Sequence, residues 1–213
     1  MIESFPANLP PPEPFIRLFQ WLEANSLAEK SPYDGQWYAK LDPAIDRACI
    51  LVTPVEPGFA EAWCGEAKPE AQDRLAAFVR TGGDGSYAGL WKDDDGNVSI
   101  VHQGSGSGST LLCKLTDNPI DFLRILAIGY EELCWQDAYG LAPQEAFQNG
   151  WDDDEVNIPL GPIQPVRFQR WVSESYGVSI PRTASEIVKS TSGIDDAASA
   201  DPFWNWIRKI QSQ

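Results

Sequence analysis

The chain has 213 residues, of which 43% are hydrophobic and 22% are charged. These proportions are typical of a folded protein with one large domain, or one domain and a small appendage. Sixteen basic and 31 acidic residues give a formal net charge of −15. Such a surface repels phosphate backbones, which argues against direct nucleic-acid binding, and it favours a basic protein partner. The alternative is that the acidity only keeps the protein soluble.

The four cysteines indicate neither a zinc knuckle nor a disulfide framework. Cys49, Cys64, Cys113 and Cys134 are widely spaced and form no CxxC pair, so we expect buried, reduced thiols. The N-terminal MIESFPANLPPPEP lacks the basic and apolar regions of a secretion signal. The apolar run Ile125–Ile128 is too short to span a bilayer. We therefore expect a cytoplasmic protein.

The first 80 residues predict one helix and one short strand. Pro14 suits the first turn of a helix. The apolar side of this helix is formed by Phe15, Leu18, Phe19 and Leu22. SPYDG at 31–35 predicts a turn, and ACILVTPV at 48–55 predicts a strand that ends at a proline. AQDRLAAFVR at 71–80 leaves helix and strand both open.

A β-hairpin and a third strand are predicted over residues 86–115. In SYAGLWKD the residues Tyr87, Gly89 and Trp91 alternate on one face, and NVSIVHQ alternates again. The Asp95-Gly96 dipeptide between these runs favours a tight primed turn. TLLCKL at 110–115 predicts the third strand.

The remaining chain predicts helices on either side of a linker. In TDNPIDFLRILAIGYEEL at 116–133, Asn118 and Pro119 suit the cap and first position of a helix. A composition change separates an α+β domain at 1–148 from an acidic, proline- and glycine-containing linker at 149–165. A helical extension at 166–213 is expected to pack on the domain. Within it, Thr183 and Glu186 form a capping box, and Asp201-Pro202 opens the last helix.

The stretch VHQGSGSGST at 101–110 suggests a phosphate-binding loop at first sight. A P-loop requires a lysine and a hydroxyl residue after its last glycine, and a helix that points backbone N–H groups at the phosphate. Here Ser109 follows Gly108, no lysine comes directly after it, and the next element is a strand. We therefore predict a connection between two strands.

Two acidic runs and one histidine are the remaining candidates for chemistry. Asp93, Asp95 and Asn97 match the first ligands of a calcium loop, but the twelfth position is Gly104 instead of a glutamate. A solvated hairpin tip is the better interpretation, and the run 152–155 is interpreted as loop surface or a contact patch. His102 is the only histidine and is expected to lie half-buried in a strand. Catalysis by paired carboxylates stays open, although no spacing favours it.

A group of short motifs resembles the SUKH superfamily, which includes bacterial immunity proteins and fungal cell-wall regulators. The motifs span about residues 70–135, and the tail at 168–209 also looks similar to some bacterial members. They are Gly83-Asp84-Gly85, Trp91, Gly104-Ser105 and Asp121-Phe122-Leu123 through Ala127 and Gly129. The chain departs from the family at Ser107, because members often carry a glutamate within this loop.

The resemblance implies an α+β fold in which helices pack on a curved, mostly antiparallel sheet. It also implies an immunity protein that neutralises a cognate toxin domain, such as a nuclease or deaminase, by stoichiometric occlusion without turnover, metal or cofactor. The predicted contact residues are Asp93, Asp94, Asp95, Trp151, Asp152, Asp153, Asp154 and Glu155. The alternatives are a regulatory or scaffolding module and a carboxylate- or metal-dependent hydrolase.

Overall fold

The computed structural model describes residues 1–32, 35–42, 49–65, 68–149 and 164–212. Within these ranges the helices are α1 (Glu13–Ala24), α2 (Pro57–Cys64), α3 (Pro69–Gln72), α4 (Pro119–Ile128), α5 (Pro143–Asn149), α6 (Val166–Tyr176) and α7 (Pro202–Gln211). The strands are β1 (Ala28–Lys30), β2 (Trp37–Ala39), β3 (Leu51–Val52), β4 (Leu75–Arg80), β5 (Tyr87–Lys92), β6 (Val98–Gln103) and β7 (Leu112–Thr116). Short 3-10 helices lie at Ile2–Ser4, Gln136–Gly140 and Ala184–Glu186.

The strands form one sheet in the order β1 to β7, and each strand pairs antiparallel with the next. Strands β4 to β7 are five or six residues long, whereas β1 to β3 have two or three residues each. Adjacent strands can be joined by short turns because all neighbouring pairs are antiparallel. The predicted α+β class, with helices packed on an antiparallel sheet, is confirmed.

Helices cover both faces of the sheet. On one face α1, α4 and α6 enclose a core that includes Phe15, Phe78 and Phe122. On the other face α2, α3 and α7 enclose a second core, in which Phe203 of α7 packs against Trp91 of β5. Successive strand residues point to opposite faces, so the long central strands are apolar on both sides. This double burial is the reason that strands β4 and β5 are almost continuously buried.

The predicted helices at α1, α4 and α7 are confirmed together with their N-terminal signals. Asn118 Oδ1 accepts the N–H of Ile120 at 2.9 Å, and Asp201 Oδ1 accepts the N–H of Trp204 at 2.9 Å. The capping box at Thr183 is present, but it opens only a single 3-10 turn. The ambiguous stretch 71–80 divides into the end of α3 and strand β4. The strand predicted at 48–55 is shorter than expected, since in its described part only Leu51–Val52 pairs.

The hairpin of β5 and β6 is confirmed, but its predicted primed turn is wrong. Gly96 has φ +86°, whereas Ser26 is the only non-glycine residue with a positive φ in the described part of the chain. A primed turn requires a positive φ at Asp95 as well. Instead Gly96 N–H donates to Asp93 O at 3.2 Å, and Asp93 N–H donates to Asn97 O at 2.9 Å. A three-residue loop with a left-handed glycine in its last position therefore joins the strands.

The meander brings two groups of connections to opposite ends of the sheet. The β5–β6 turn, residues 93–97, forms the hairpin tip. The β4–β5 turn and the β6–β7 loop lie together at the other end, where the chain that leaves α4 joins them through the hydrogen bond from Leu133 N to Thr81 O (2.8 Å). We call residues 82–86, 104–110 and 131–137 the loop end.

Candidate functional site

The carboxylates of the hairpin tip are largely engaged within the protein. Asp93 accepts hydrogen bonds from Asp95 N and from the backbone and side chain of Asn97, between 2.8 and 3.0 Å. The bond from the Asn97 side chain is the main reason that the pKa of Asp93 is lowered. Asp94 pairs with Arg74 at 2.7 Å and with Lys209 at 3.7 Å. The tip therefore presents less uncompensated charge than its sequence suggests.

The second predicted contact group lies outside the described residues. It consists of Trp151, Asp152, Asp153, Asp154 and Glu155, and it remains a sequence prediction.

The glycine-serine loop wraps around a carboxylate that belongs to the protein itself. Asp84 Oδ2 accepts the hydroxyls of Ser86 and Ser105 and the backbone N–H of Ser109, each at 2.8 Å. Its Oδ1 accepts the backbone N–H of Ser86 at 3.0 Å. Burial raises the pKa of Asp84, but these hydrogen bonds outweigh burial and hold the pKa below its usual value. The loop thus provides the donors of an anion cradle, and Asp84 fills it.

Two glycines of this loop allow the close approach. A Cβ on Gly104 would lie 2.2 Å from the carbonyl oxygen of Ser109, and a Cβ on Gly108 would lie 2.8 Å from the Asp84 side chain. Both positions therefore require glycine for steric reasons. The prediction that the loop connects two strands is confirmed, and its serines and glycines serve that connection.

His102 is fully buried, and the expectation of a half-buried ring is wrong. Its Nδ1 lies 3.1 Å from the carbonyl oxygen of Leu111, and its Nε2 lies 2.8 Å from Thr81 Oγ1. A carbonyl only accepts, so Nδ1 carries the proton and Nε2 accepts the threonine hydroxyl. Burial lowers the pKa of His102 to about 4, so the ring is neutral at pH 7. The burial is deeper than expected because β6 lies between β5 and β7 and helices cover both faces of the sheet.

An acidic cleft of about 580 Å³ lies beside the loop end. Its lining includes the acidic residues Glu131, Glu132 and Asp137 together with Trp135, whose side chain is 43% exposed. The rest of the lining is mainly apolar: Tyr130, Ala138, Leu141, Pro143, Ala146 and Phe147, with Cys49 and Asn149 at the margin. A concave apolar floor with a few converging polar groups is typical of a binding site.

Glu132 sets the position of the exposed indole. One carboxylate oxygen accepts the backbone N–H of Gly83 at 2.6 Å, and the other accepts the indole N–H of Trp135. These bonds connect the β4–β5 turn to the segment after α4. A large aromatic side chain that is held in place loses little conformational entropy when a partner binds it.

The thiol at the margin of the cleft is protonated at neutral pH. Burial is the main cause, and the carboxylate of Glu132 adds to it, so the pKa of Cys49 is raised to about 11. A thiol of this kind is a poor nucleophile because the thiolate is the reactive form. Cys64, Cys113 and Cys134 are free and buried, as predicted, whereas Cys49 is free but only partly buried.

Sequence analysis did not identify the cleft. Its signal is the run YEELCWQDAYG at 130–140, in which acidic and aromatic residues follow Gly129. Gly129 has φ +96° and ends α4, so this run leaves the helix as an irregular segment and not as a further helical turn. The sequence predicts that the helix continues through the first four residues of this run, 130–133, whereas α4 ends at Ile128.

Within the described ranges no three His, Cys, Asp or Glu side chains are grouped so as to hold a metal ion. Over the same ranges no helix has the length and apolar character needed to cross a membrane.

Comparison of the chain with protein-family models, curated proteins and solved structures finds no match.

Proposed function

We propose that the protein is an immunity protein that binds the basic active-site region of a cognate toxin domain and blocks it in a one-to-one complex, without turnover. The observation that carries this proposal is the acidic cleft at the loop end, where an exposed, positioned tryptophan stands among carboxylates. Aromatic anchors and charged rims are characteristic of protein interfaces. The resemblance to the SUKH superfamily supports the same function.

The net charge of −15 supports the proposal from a second direction. Enzymes that act on nucleic acids carry basic clefts, and an acidic partner is attracted to such a cleft over distances of about a Debye length, roughly 8–10 Å at physiological salt. Attraction of this kind raises the association rate, which matters for a protein that must reach a toxin before the toxin acts. A cytoplasmic location of the antidote belongs to the same proposal.

Co-expression tests the function. The chain is produced together with the C-terminal domain encoded by the neighbouring gene, and survival and complex formation are measured. The proposal predicts that cells survive and that a one-to-one complex co-purifies. Cell death without a complex contradicts it. A complex with a housekeeping protein would indicate a regulatory module, and substrate turnover that is lost on replacing one polar side chain would indicate a hydrolase.

A further inference from the structure

We propose that the acidic cleft is the docking site and that it receives an arginine side chain from a basic segment of the partner protein. This inference rests on the proposed function, since it assumes a protein partner, and it adds where the partner binds and which side chain enters. Three features of the cleft favour this occupant: its charge, its shape and the exposed indole of Trp135.

The described charged residues that line the cleft are all acidic, and the nearby guanidinium of Arg80, which acts on Cys49, is held by the carbonyl oxygens of Gly82 and Gly83. The described residues that line the cleft include three carboxylic acids and no lysine or arginine. Asp137 is exposed and forms no ion pair with a described residue. The hairpin tip differs, because there Arg74 and Lys209 compensate Asp94. A cationic side chain is therefore attracted more strongly to the cleft than to the tip.

The shape favours a long side chain with a charged end. The lining combines apolar side chains with three carboxylates, so an inserted side chain can bury its methylene groups against the first and keep its charge near the second. Arginine also presents a flat guanidinium group with five N–H donors, which suits several carboxylate oxygens at once.

The indole of Trp135 provides a surface on which a guanidinium group can stack. Two such contacts occur among the described residues: the Arg74 guanidinium carbon lies 5.0 Å from the ring of Trp206, and that of Arg208 lies 5.2 Å from the ring of Trp204. Glu132 accepts the indole N–H, which draws electron density toward the ring and fixes its plane. The cleft therefore combines the two features that select arginine, a fixed aromatic face and nearby carboxylates.

A titration with a simple probe tests the site without the toxin. The full chain, labelled with ¹⁵N, is titrated with a capped octapeptide of alternating arginine and glycine, and the indole N–H signal of Trp135 is followed by NMR after assignment with Trp135→Phe. The matched control peptide carries citrulline, which has the same shape as arginine but no charge. We expect the Trp135 signal to shift with the arginine peptide and the citrulline peptide to bind at least about tenfold more weakly.

Two pairs of variants separate the cleft from the rest of the surface. Trp135→Ala is compared with Trp37→Ala, which removes another exposed tryptophan (51% exposed) that does not line the cleft. Asp137→Lys is compared with Asp95→Lys, which makes the same charge change at the hairpin tip. Peptide binding by all four variants is measured by isothermal titration calorimetry, because Trp135→Ala removes the indole signal. Both cleft variants should weaken peptide binding about tenfold or more, and both controls less than about twofold. Asp137→Lys keeps the test decisive if Trp135→Ala misfolds, because Asp137 is exposed.

The outcomes distinguish this inference from the proposed function. An unmoved Trp135 signal, equal binding of the citrulline peptide, or an equal loss with Asp95→Lys overturns the docking site. Self-association that Asp137→Lys abolishes overturns it as well, because the occupant is then a second copy of the chain. If the cleft variants lose peptide binding and the chain fails to neutralise the toxin domain, the site stands and the proposed function fails. If neutralisation is unaffected by Asp137→Lys, the function stands and the site fails.

Discussion

The two ends of the sheet use their acidic residues in different ways. At the hairpin tip, Asp93 holds the turn together and Asp94 is neutralised by two cations. At the loop end, Asp84 fills the glycine-serine loop and Glu132 positions Trp135, while the lining of the cleft lacks basic residues among its described members. The number of acidic residues in a run therefore does not predict how much negative charge is available to a partner. That charge depends on the hydrogen bonds and ion pairs that each carboxylate forms within the protein.

Asp84→Ala should have the largest effect on stability. The substitution leaves the hydroxyls of Ser86 and Ser105 and the N–H of Ser109 without their acceptor. Hydrogen bonds to a charged acceptor are worth about 1.5–3 kcal/mol each, and after a discount for partial exposure we expect a loss of about 3 kcal/mol in the free energy of unfolding. This loss is measured by urea denaturation, with circular dichroism as the signal of unfolding.

The matched variant for this test is Asp95→Ala, at the exposed hairpin tip, whose unfolding midpoint should equal that of the unchanged protein. Equal midpoints for Asp84→Ala and Asp95→Ala would show that the loop end does not depend on its internal carboxylate.

His102 should produce the next largest effect, as a pH dependence of stability. Its pKa of about 4 in the folded protein lies below the ordinary value of 6.5, so the unfolded chain takes up the proton first as the pH falls. The stabilisation is complete above pH 6.5 and is lost as the pH falls toward 4, by roughly 2–3 kcal/mol at pH 4.5. Asp84 contributes to stability in a different pH range. Its pKa is lowered from 3.8, so the stabilisation that it provides is lost only as the pH falls below about 4.

Urea denaturation at pH 7 and pH 4.5 measures the histidine contribution as a difference between the unchanged protein and His102→Gln. The glutamine variant is less stable at pH 7, but its stability should fall less between the two pH values. Equal falls in the two proteins would mean that the buried ring does not control this window.

Asp94→Ala should have a small effect on stability. The carboxylate is 65% exposed, and its partner Arg74 keeps the carbonyl of Lys92 and the ring of Trp206. Exposed ion pairs contribute below about 1 kcal/mol, and salt screens them. We expect Asp94→Ala to lose about 0.5 kcal/mol in the free energy of unfolding at low salt, seen as a small shift of the urea midpoint. This loss should vanish in 0.5 M NaCl, where the ion pair is screened. A loss as large as that of Asp84→Ala would mean that the tip is a principal support of the fold.

The smallest expected effect is that of Asp95→Lys on the rate of association with the toxin domain that co-purifies in the co-expression experiment. Asp95 is exposed at the tip, whereas Asp137 lies at the cleft. In stopped-flow measurements at low salt, Asp137→Lys should slow association about three- to tenfold, and Asp95→Lys less than about twofold. The reverse order would restore the tip as the steering surface, as the sequence alone suggested.

The sequence predicted local structure better than it predicted the site. Capping residues and helical spacing act within a few residues, so α1, α4 and α7 could be recognised from the sequence. The burial of His102 and the wrapping of the loop around Asp84 depend on strands that are distant in the chain, and no local pattern reports them. The cleft was missed for a different reason: apart from Cys49 its described lining comes from one continuous stretch, residues 130–149, whose first part has no regular helical or strand pattern to predict its path. The division into a domain at 1–148 and an extension at 166–213 remains a prediction, although α7 packs against one face of the sheet.

Hydrogen–deuterium exchange on the complex with the co-purified toxin domain tests most directly that the acidic cleft at the loop end is the functional face. Amide exchange is compared between the free and bound chain for residues 131–149 and for residues 93–97. We predict slower exchange in the first range on binding and unchanged exchange in the second. Protection confined to residues 93–97, with none in residues 131–149, would contradict the account.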